Sequence, residues 1–429
     1  LNVAFTRGFV ASQAFVDRYA SQGESISTLL PAQASEGLTF QPSHPQAAEA
    51  LAWMGFKARA AILGVLDEAL NDPEAQVRVI AYDFDLPDVF SRLQQLGSRL
   101  RIIIDDSEAH GNAKSAETAA AAQLSASAGA GNVKRQHLGK LQHNKTIVVD
   151  GPNVQAVVCG STNFSWRGWY VQNNNAMVLR GKGPVGVFTA AFENYWAHGE
   201  VQGFGATASA TWQDAGLDGI DAQVTFSPHV GTNQALSHVA DDIKTATSSL
   251  FFSLAFLDQT PGPIEQAIAA VMANPDVFVY GISDREDDRL ALLRPGGKEV
   301  IVSPGALAGN VPEPFRREPT GGAGIRMHHK FVVIDFDKPT ARVYMGSHNF
   351  SSAADTQNGE NLVLVRDRRV ATSYMIEAVR ICDHYHFRDA QQTSADLVLA
   401  RPPQNPGEQP WWASQYSDPE KILARELFS

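Results

Sequence analysis

A chain of 429 residues, 44% hydrophobic and 19% charged, exceeds what one core usually supports and has the balance of a soluble globular protein of two domains. Its formal net charge of −11 excludes a general polyanion binder, because a field of that sign repels phosphate backbones before a local patch can act; a local basic cleft stays open. Two cysteines, Cys159 and Cys382, are too few for a disulfide framework and read as buried thiols, and no apolar run is long enough to span a bilayer.

The start, "LNVAFTRGFV", lacks the pattern of a signal peptide, and a Leu1 in place of methionine is expected to follow removal of a leader or tag, so the compartment stays open between cytoplasmic and secreted. Residues 1–37 read as an extension. From "LTFQPSH" onward the elements come in a regular series. A helical period in "AAEALAWMGFKARAAILGVLDEAL" leads into β-rich "QVRVIAYDF" and "RLRIIIDD", then "LQHNKTIVVD", "VVCGSTNFS" and a helix over "VGVFTAAFENYWAHG". Residues 201–222, rich in Gly, Ala and Thr, read as linker.

The series then repeats. "VTFSPHV" is followed by "NQALSHVADDIKTA", "SLFFSLAFLD", "DVFVYGISD", "MHHKFVVID", "VYMGSHNFS" and a long helix over "RRVATSYMIEAVRICDHYHF". Phe226 follows Phe40 by 186 positions, His328 follows His143 by 185, and Gly346 follows Gly160 by 186. Several anchors in one order at nearly constant offset mark a duplication. The chain therefore divides into an α/β lobe at 38–200 and a second at 223–390, with a tail at 391–429 that the Trp411–Trp412 pair is expected to pin to the body.

In a strand, side chains two apart share a face, so His143 points with Lys145 and His328 with Lys330, while Asn144 and His329 point away. Each pair is followed by Gly-Ser-x-Asn: Gly160, Ser161 and Asn163, then Gly346, Ser347 and Asn349. The set suits a phosphodiester. Lysines supply fixed positive charge to anionic oxygens, the Asn163 and Asn349 amides and the Ser161 and Ser347 hydroxyls supply hydrogen bonds, and the glycines allow close backbone approach. Displacement at phosphorus also needs a nucleophile on one side and a proton donor on the other, which one histidine from each lobe can meet.

"HNKTIVVD" with "GSTN", and "HHKFVVID" with "GSHN", resemble the paired HKD motifs of the phospholipase D superfamily, over roughly Thr39 to Phe387. The resemblance implies a duplicated, pseudo-twofold bilobal α/β fold, with mixed sheets flanked by helices and the active site between the lobes. It implies a phosphohistidine intermediate, no metal and no cofactor. Asp150 and Asp335, at the far ends of the strands, are expected to serve turn or scaffold hydrogen bonding. The copies differ at one instructive position: "QNNNAMVL" lies over "NGENLVLV", so Asn174 matches Glu360. A carboxylate can fix an imidazole tautomer and stabilise its cation, whereas an amide only orients the ring. In this family the orienting acid commonly reaches the histidine of the opposite lobe, so Glu360 is expected to serve His143, the nucleophile, and Asn174 to serve His328, acid and then base.

Other features carry less. Trp166, Arg167, Trp169 and Tyr170 fit the cleft mouth or the core about equally; "SDREDDR", Ser283 to Arg289, reads as a solvated loop; His384 and His386, two apart on a helix, do not share a face for joint metal ligation. The leading expectation is a phosphodiesterase of phospholipase D type, acting on a phospholipid or similar amphiphilic phosphodiester at a membrane surface, with transfer to alcohols as a variant. The alternative is a nuclease or nucleic-acid repair phosphodiesterase, which needs a basic groove. A binding module with a dead site is disfavoured because both motif sets are intact. Both motifs lie in one chain, so a monomer carries a complete site.

Overall fold

The computed structural model describes residues 1–20, 25–255, 257, 262–283, 301–302, 327–393 and 401–429. The β-branched runs of the first half form β1 (Asn2–Phe5), β2 (Gln76–Ala81), β3 (Leu100–Ile104), β4 (Val133–Arg135), β5 (Lys145–Asp150), β6 (Gln155–Gly160) and β7 (Asn175–Arg180). They lie in the order β1-β7-β6-β5-β2-β3-β4. The second half gives β8 (Gln213–Asp214), β9 (Asp221–Ser227), β10 (Ser249–Leu254), β11 (Phe278–Ser283), β12 (Ile301–Val302), β13 (Lys330–Ile334), β14 (Arg342–Gly346) and β15 (Glu360–Arg366). Their order, read from the corresponding edge, is β8-β9-β15-β14-β13-β10-β11-β12. Apart from β8 the two sheets match strand for strand, each mixing parallel crossovers at one edge with antiparallel neighbours at the other.

One sequence anchor is corrected by this match. Phe226 lies in β9, opposite Asn361, but Phe40 lies just beyond a short 3-10 turn and belongs to no strand. The strand that answers to β9 is β1, whose Phe5 stands opposite Asn175. The first five residues are thus an edge of the first sheet, and the linker expected at 201–222 contributes β8 and the start of β9 to the second.

Helices cover both sheets. Ala47–Asn71 packs its apolar residues, Met54, Ala58, Ile62 and Leu66 among them, on the outer face of the first sheet; Gln234–Ile243 and Pro263–Met272 do the same for the second. A third core is shared by the two lobes. It gathers Val148, Val157 and Met177 of the first sheet, Phe331, Val343 and Val363 of the second, and the helices Lys182–Ala197 and Arg368–Thr393. Burial of this one apolar mass from both halves fixes the lobes against each other.

Cys159 and Cys382 are buried free thiols. Among the described residues no helix is long and apolar enough to cross a membrane. The tail is held differently from the sequence expectation: Trp411 and Trp412 are about half exposed, whereas Phe428, after the helix Pro419–Leu427, stacks on Phe336 at 5.9 Å and meets Phe251 and Phe278 edge-on. The acidic stretch after Ser283 and the side chain of His386 lie outside the described residues.

Candidate active site

The two His-x-Lys segments meet where the sheets face each other. Each histidine sits in the two residues of open chain before its strand, and each open segment pairs with the opposite lobe. Gln142 bridges to Gly359, and Asn173 bridges to Met327, while the His328 N–H donates to Asn173 O at 3.1 Å. These crossed bridges bring residue 360 beside His143 and residue 174 beside His328.

His143 donates Nδ1–H to Glu360 Oε2 at 2.8 Å; His328 donates Nδ1–H to Asn174 Oδ1 at 2.8 Å and to the Ser161 carbonyl at 3.2 Å. Both rings are therefore Nδ1–H tautomers, and each keeps its Nε2 lone pair for chemistry. Their centroids are 6.4 Å apart. The orienting groups are themselves oriented, with opposite polarity. The Asn174 amide donates to Gly168 O at 2.8 Å and to Gln172 Oε1 at 3.5 Å, which turns its oxygen toward His328. At the matching position in the second lobe Asn358 donates to Glu360 Oε1 at 3.3 Å. Thr6, after β1, takes part: its hydroxyl donates to Gln172 O at 2.8 Å and accepts Asn174 N–H at 2.9 Å.

The lysines lie under their own histidines. Lys145 Nζ donates to His143 O, and Lys330 Nζ to His328 O at 2.7 Å. Lys145 also sits 4.6 Å over the Tyr82 ring, which meets His143 edge-on at 4.5 Å. All four groups are buried, and burial governs their protonation. It pushes His143 down to about 4, opposed by Glu360 and assisted by Lys145. It pushes Lys145 down to about 7, opposed by Glu360, Asp83 and Asp105. His328 falls well below the usual imidazole range, by burial and then by the charges of Lys330 and Lys145. Burial alone would raise Glu360, but His143 and Lys145 hold it below the usual carboxylate range.

The Gly-Ser-x-Asn sets divide into scaffold and site. A Cβ on Gly160 would stand 2.5 Å from Asn175 O, and one on Gly346 2.3 Å from Asn361 O, so glycine is required by the neighbouring strand rather than by a ligand. Both serine oxygens are engaged by the neighbouring strand, and Ser161 has its proton committed as well, whereas Ser347 remains a candidate for phosphate. Ser161 Oγ gives its one proton to Asn174 Oδ1 at 2.8 Å and accepts Asn175 N–H at 3.0 Å; Ser347 Oγ accepts Asn361 N–H at 3.0 Å and its amide at 3.3 Å. Asn163 and Asn349 each have a buried amide oxygen without a partner, and their amide nitrogens remain candidates for phosphate.

Asp335 does hold scaffold, accepting the backbone N–H groups of Thr247, Ser248 and Ser249 between 2.8 and 3.2 Å, but Asp150 is exposed. Trp166, Trp169 and Tyr170 are core residues; Arg167 stays half-buried and adds its field to His328. His329 is fully buried, accepting from the Asn175 amide at 3.3 Å and donating to Glu377 at 3.1 Å. Tyr82, with Asp83, His110 and Glu117 beside it, escaped the reading of the sequence because these come from three separate segments with no regular spacing.

A duplicated α/β frame that sets two imidazoles and two lysines face to face defines the class of enzymes acting on phosphodiesters. The chain belongs to the phospholipase D-like family: the pattern described as "Cardiolipin synthase, PLD-like domain" matches residues 66–196 and 239–380, well over half of it. Proteins named phospholipase D from Rickettsia felis and Rickettsia prowazekii are each 44% identical over 48 residues, 11% of this chain and 22% of theirs, so the chain spans under a quarter of these relatives. Among solved structures, phosphatidylserine synthase of Haemophilus influenzae Rd KW20 superposes with a TM-score of 0.52 at 13% identity, covering 76% of this chain and 84% of that one. Polyphosphate kinase of Porphyromonas gingivalis gives 0.50 at 10% identity, covering 86% and 54%. Both likenesses are of fold.

Proposed function

We propose that the protein hydrolyses a phospholipid or similar amphiphilic phosphodiester through a phosphohistidine on His143, with transfer to alcohols where these replace water. The observation that carries this is the unequal support of two facing imidazoles: Glu360 on His143, Asn174 on His328. Nε2 of His143 attacks phosphorus as the bond to the leaving oxygen breaks, and His328 gives that oxygen its Nε2 proton. The phosphorylated imidazole is a cation, and the Glu360 carboxylate 2.8 Å from its Nδ1 offsets that charge; an amide could not. Water then attacks phosphorus, gives its proton to His328, and the P–N bond breaks. Lys145 and Lys330 hold the anionic oxygens. His328 is depressed by those two lysines in the free site. A phosphate anion between them relieves the depression, so the proton that His328 transfers is favoured by substrate binding itself.

The preference for an amphiphile rests on charge. The whole chain carries −11, and Asp83 and Asp105 stand beside Tyr82 on the first-lobe wall, a field of the sign that repels a polyanion. The name phospholipase D on the Rickettsia relatives supports the same reading.

Two measurements test it. Turnover is compared on phospholipid micelles, single-stranded DNA and bis(4-nitrophenyl) phosphate, with and without EDTA. Efficient DNA cleavage at physiological salt with micelles untouched would put the nuclease in its place, and turnover that needs a divalent ion bound between His143 and His328, rather than one elsewhere in the lobe, would end the metal-free displacement. Trapping tests the roles: His328→Ala, given a nitrophenyl ester whose leaving group needs no proton, accumulates an adduct that mass spectrometry maps to His143. An adduct on His328 in His143→Ala reverses the assignment.

A further inference from the structure

The first-lobe wall of the site carries a second cluster that the displacement does not use. Asp83 follows β2, His110 lies in the turn after β3, and Glu117 occupies the first turn of the helix Ala116–Ala128. One imidazole nitrogen and one oxygen from each carboxylate lie within 4.8 Å of one another.

Asp105, at the end of β3, decides which nitrogen of His110 is available. Its Oδ2 accepts the His110 Nδ1–H at 2.8 Å together with the Ser107 N–H at 3.0 Å and the Ser107 hydroxyl, and its Oδ1 accepts the Gln142 N–H at 2.7 Å. Four donors hold Asp105 in place, and its bond to Nδ1 fixes the orientation of the His110 ring. The Nε2 nitrogen of His110 is then turned toward Glu117 Oε1, 3.9 Å away. That is beyond hydrogen-bond reach, and although burial opposes it, Asp105, Glu117 and Asp83 raise His110 above the usual imidazole range, so this nitrogen favours a positive partner, a proton or a metal ion. A carboxylate behind the imidazole, with the far nitrogen directed at further carboxylates, is the arrangement by which proteins orient metal-binding histidines.

The charge balance asks for the same thing. Glu117 is buried, its carboxyl raised by that burial, and among the described residues neither it nor Asp83 forms an ion pair with a lysine or arginine. Buried carboxylates are normally paired or bound to metal. The two candidate ligands are also held in place: Glu117 Oε1 accepts the Phe84 N–H at 3.0 Å, and Asp83 Oδ2 accepts the Ser165 hydroxyl at 2.8 Å.

We propose that Asp83, His110 and Glu117 form a divalent cation site in the first lobe. One imidazole nitrogen and two carboxylate oxygens suit a borderline first-row ion, Zn²⁺ or Mn²⁺, over Mg²⁺, which prefers an all-oxygen octahedron. The ion ties the end of β2 to the turn after β3. Between them stands Tyr82, edge-on to His110 at 4.6 Å and to His143 at 4.5 Å, so the ion steadies the wall against which His143 rests without touching phosphorus.

The test uses the full chain, stripped with EDTA, dialysed, and titrated calorimetrically with ZnCl₂, MnCl₂ and MgCl₂. One equivalent of Zn²⁺ or Mn²⁺ is expected to bind and to raise Tm by several degrees, with no comparable Mg²⁺ signal. His110→Asn keeps a donor for Asp105 and deletes the ligand nitrogen; Glu117→Gln keeps an acceptor for the Phe84 N–H and deletes the charge. Each should weaken binding by roughly tenfold or more. No stoichiometric binding, or binding of undiminished strength in both variants, overturns the site. Should a variant not fold, anomalous scattering from Mn²⁺-soaked crystals of the unaltered protein decides: a peak between the three side chains supports the site, and a peak elsewhere or none refutes it.

Discussion

The two lobes share a strand order, a His-x-Lys segment and a Gly-Ser turn, and they differ where a function could be divided between them. In the second lobe β15 opens with Glu360; in the first, Asn174 stands at the same place just before β7. The neighbouring amide has turned to suit, Asn358 donating to the carboxylate and Gln172 accepting from Asn174. A similar divergence lies on the far face. Asn144 accepts the Asn361 amide at 2.8 Å, whereas His329, its counterpart, is tied to Asn175 and to the Glu377–Arg380 pair. A duplicated frame can thus keep its geometry while single side chains, each with one compensating partner, separate a nucleophile from a proton carrier.

The comparison breaks first at the orienting residues. Glu360→Gln keeps a hydrogen-bond acceptor for His143 and removes the charge, and should lower kcat by about 10²–10³-fold with little change in substrate affinity. Asn174→Asp, in the other lobe, should cost far less; steady-state kinetics on a chromogenic diester reads both. Equal losses would mean that the lobes are equivalent in the mechanism.

His329→Ala comes next. Because the side chain points away from the phosphate site, the chemistry should be little changed in the folded enzyme; because it is fully buried with both ring nitrogens bonded, its loss should cost roughly 2–4 kcal/mol of stability. Urea unfolding of the variant measures this. Asn144→Ala, which removes the bond from the Asn361 amide at 2.8 Å and the one to Gln142 Oε1 at 3.1 Å but a smaller side chain, should cost somewhat less.

A smaller effect separates the lysines by pH. Lys145 is charged below about 7 and neutral above it, and His143 is neutral above about 4 and charged below it. On a nitrophenyl diester, whose leaving group needs no proton from His328, the kcat/KM profile should therefore rise through the lower value and fall through the upper, roughly tenfold per pH unit outside these limits. Bound phosphate favours the charged lysine, so the alkaline limb of kcat should lie higher. A limb that survives unshifted in Lys145→Met would assign it to another group.

The smallest concerns the tail, whose Phe428 packs against Phe251, Phe278 and Phe336 of the second lobe. Phe428→Ala should cost about 1 kcal/mol in thermal or chemical unfolding, and Trp411→Ala less than about 0.5 kcal/mol.

Much of this was legible in the sequence because the duplication provided its own alignment. Two histidines, two lysines and the Asn174/Glu360 difference stand at a constant offset, and the long helices carry an unmistakable apolar period. What could not be read has physical reasons. β1 is four residues long, too short for a periodic signal, and its role is set by pairing with β7 rather than by its own residues. The engagement of Ser161 could not be read because a strand pattern gives the face of a side chain but not the competitor, here Asn174 Oδ1, that takes its proton first. Tyr82 and the carboxylates beside it come together only through the crossovers of the first sheet. Aromatic content pointed to Trp411 and Trp412 as the tail's anchor, whereas the contact is made by Phe428, whose partners lie far back in the chain.

The crossed bridges, Gln142 to Gly359 and Asn173 to Met327, bear on how such a molecule can change over generations. Each half supplies the histidine that the other half must steady, so neither is a module that can be exchanged for a relative's copy on its own. A mutation near residue 174 is tested in the second half's histidine, and one near residue 360 in the first half's. Selection therefore acts on the fit between halves, and the two copies, free to diverge everywhere else, are bound to be inherited as a matched pair.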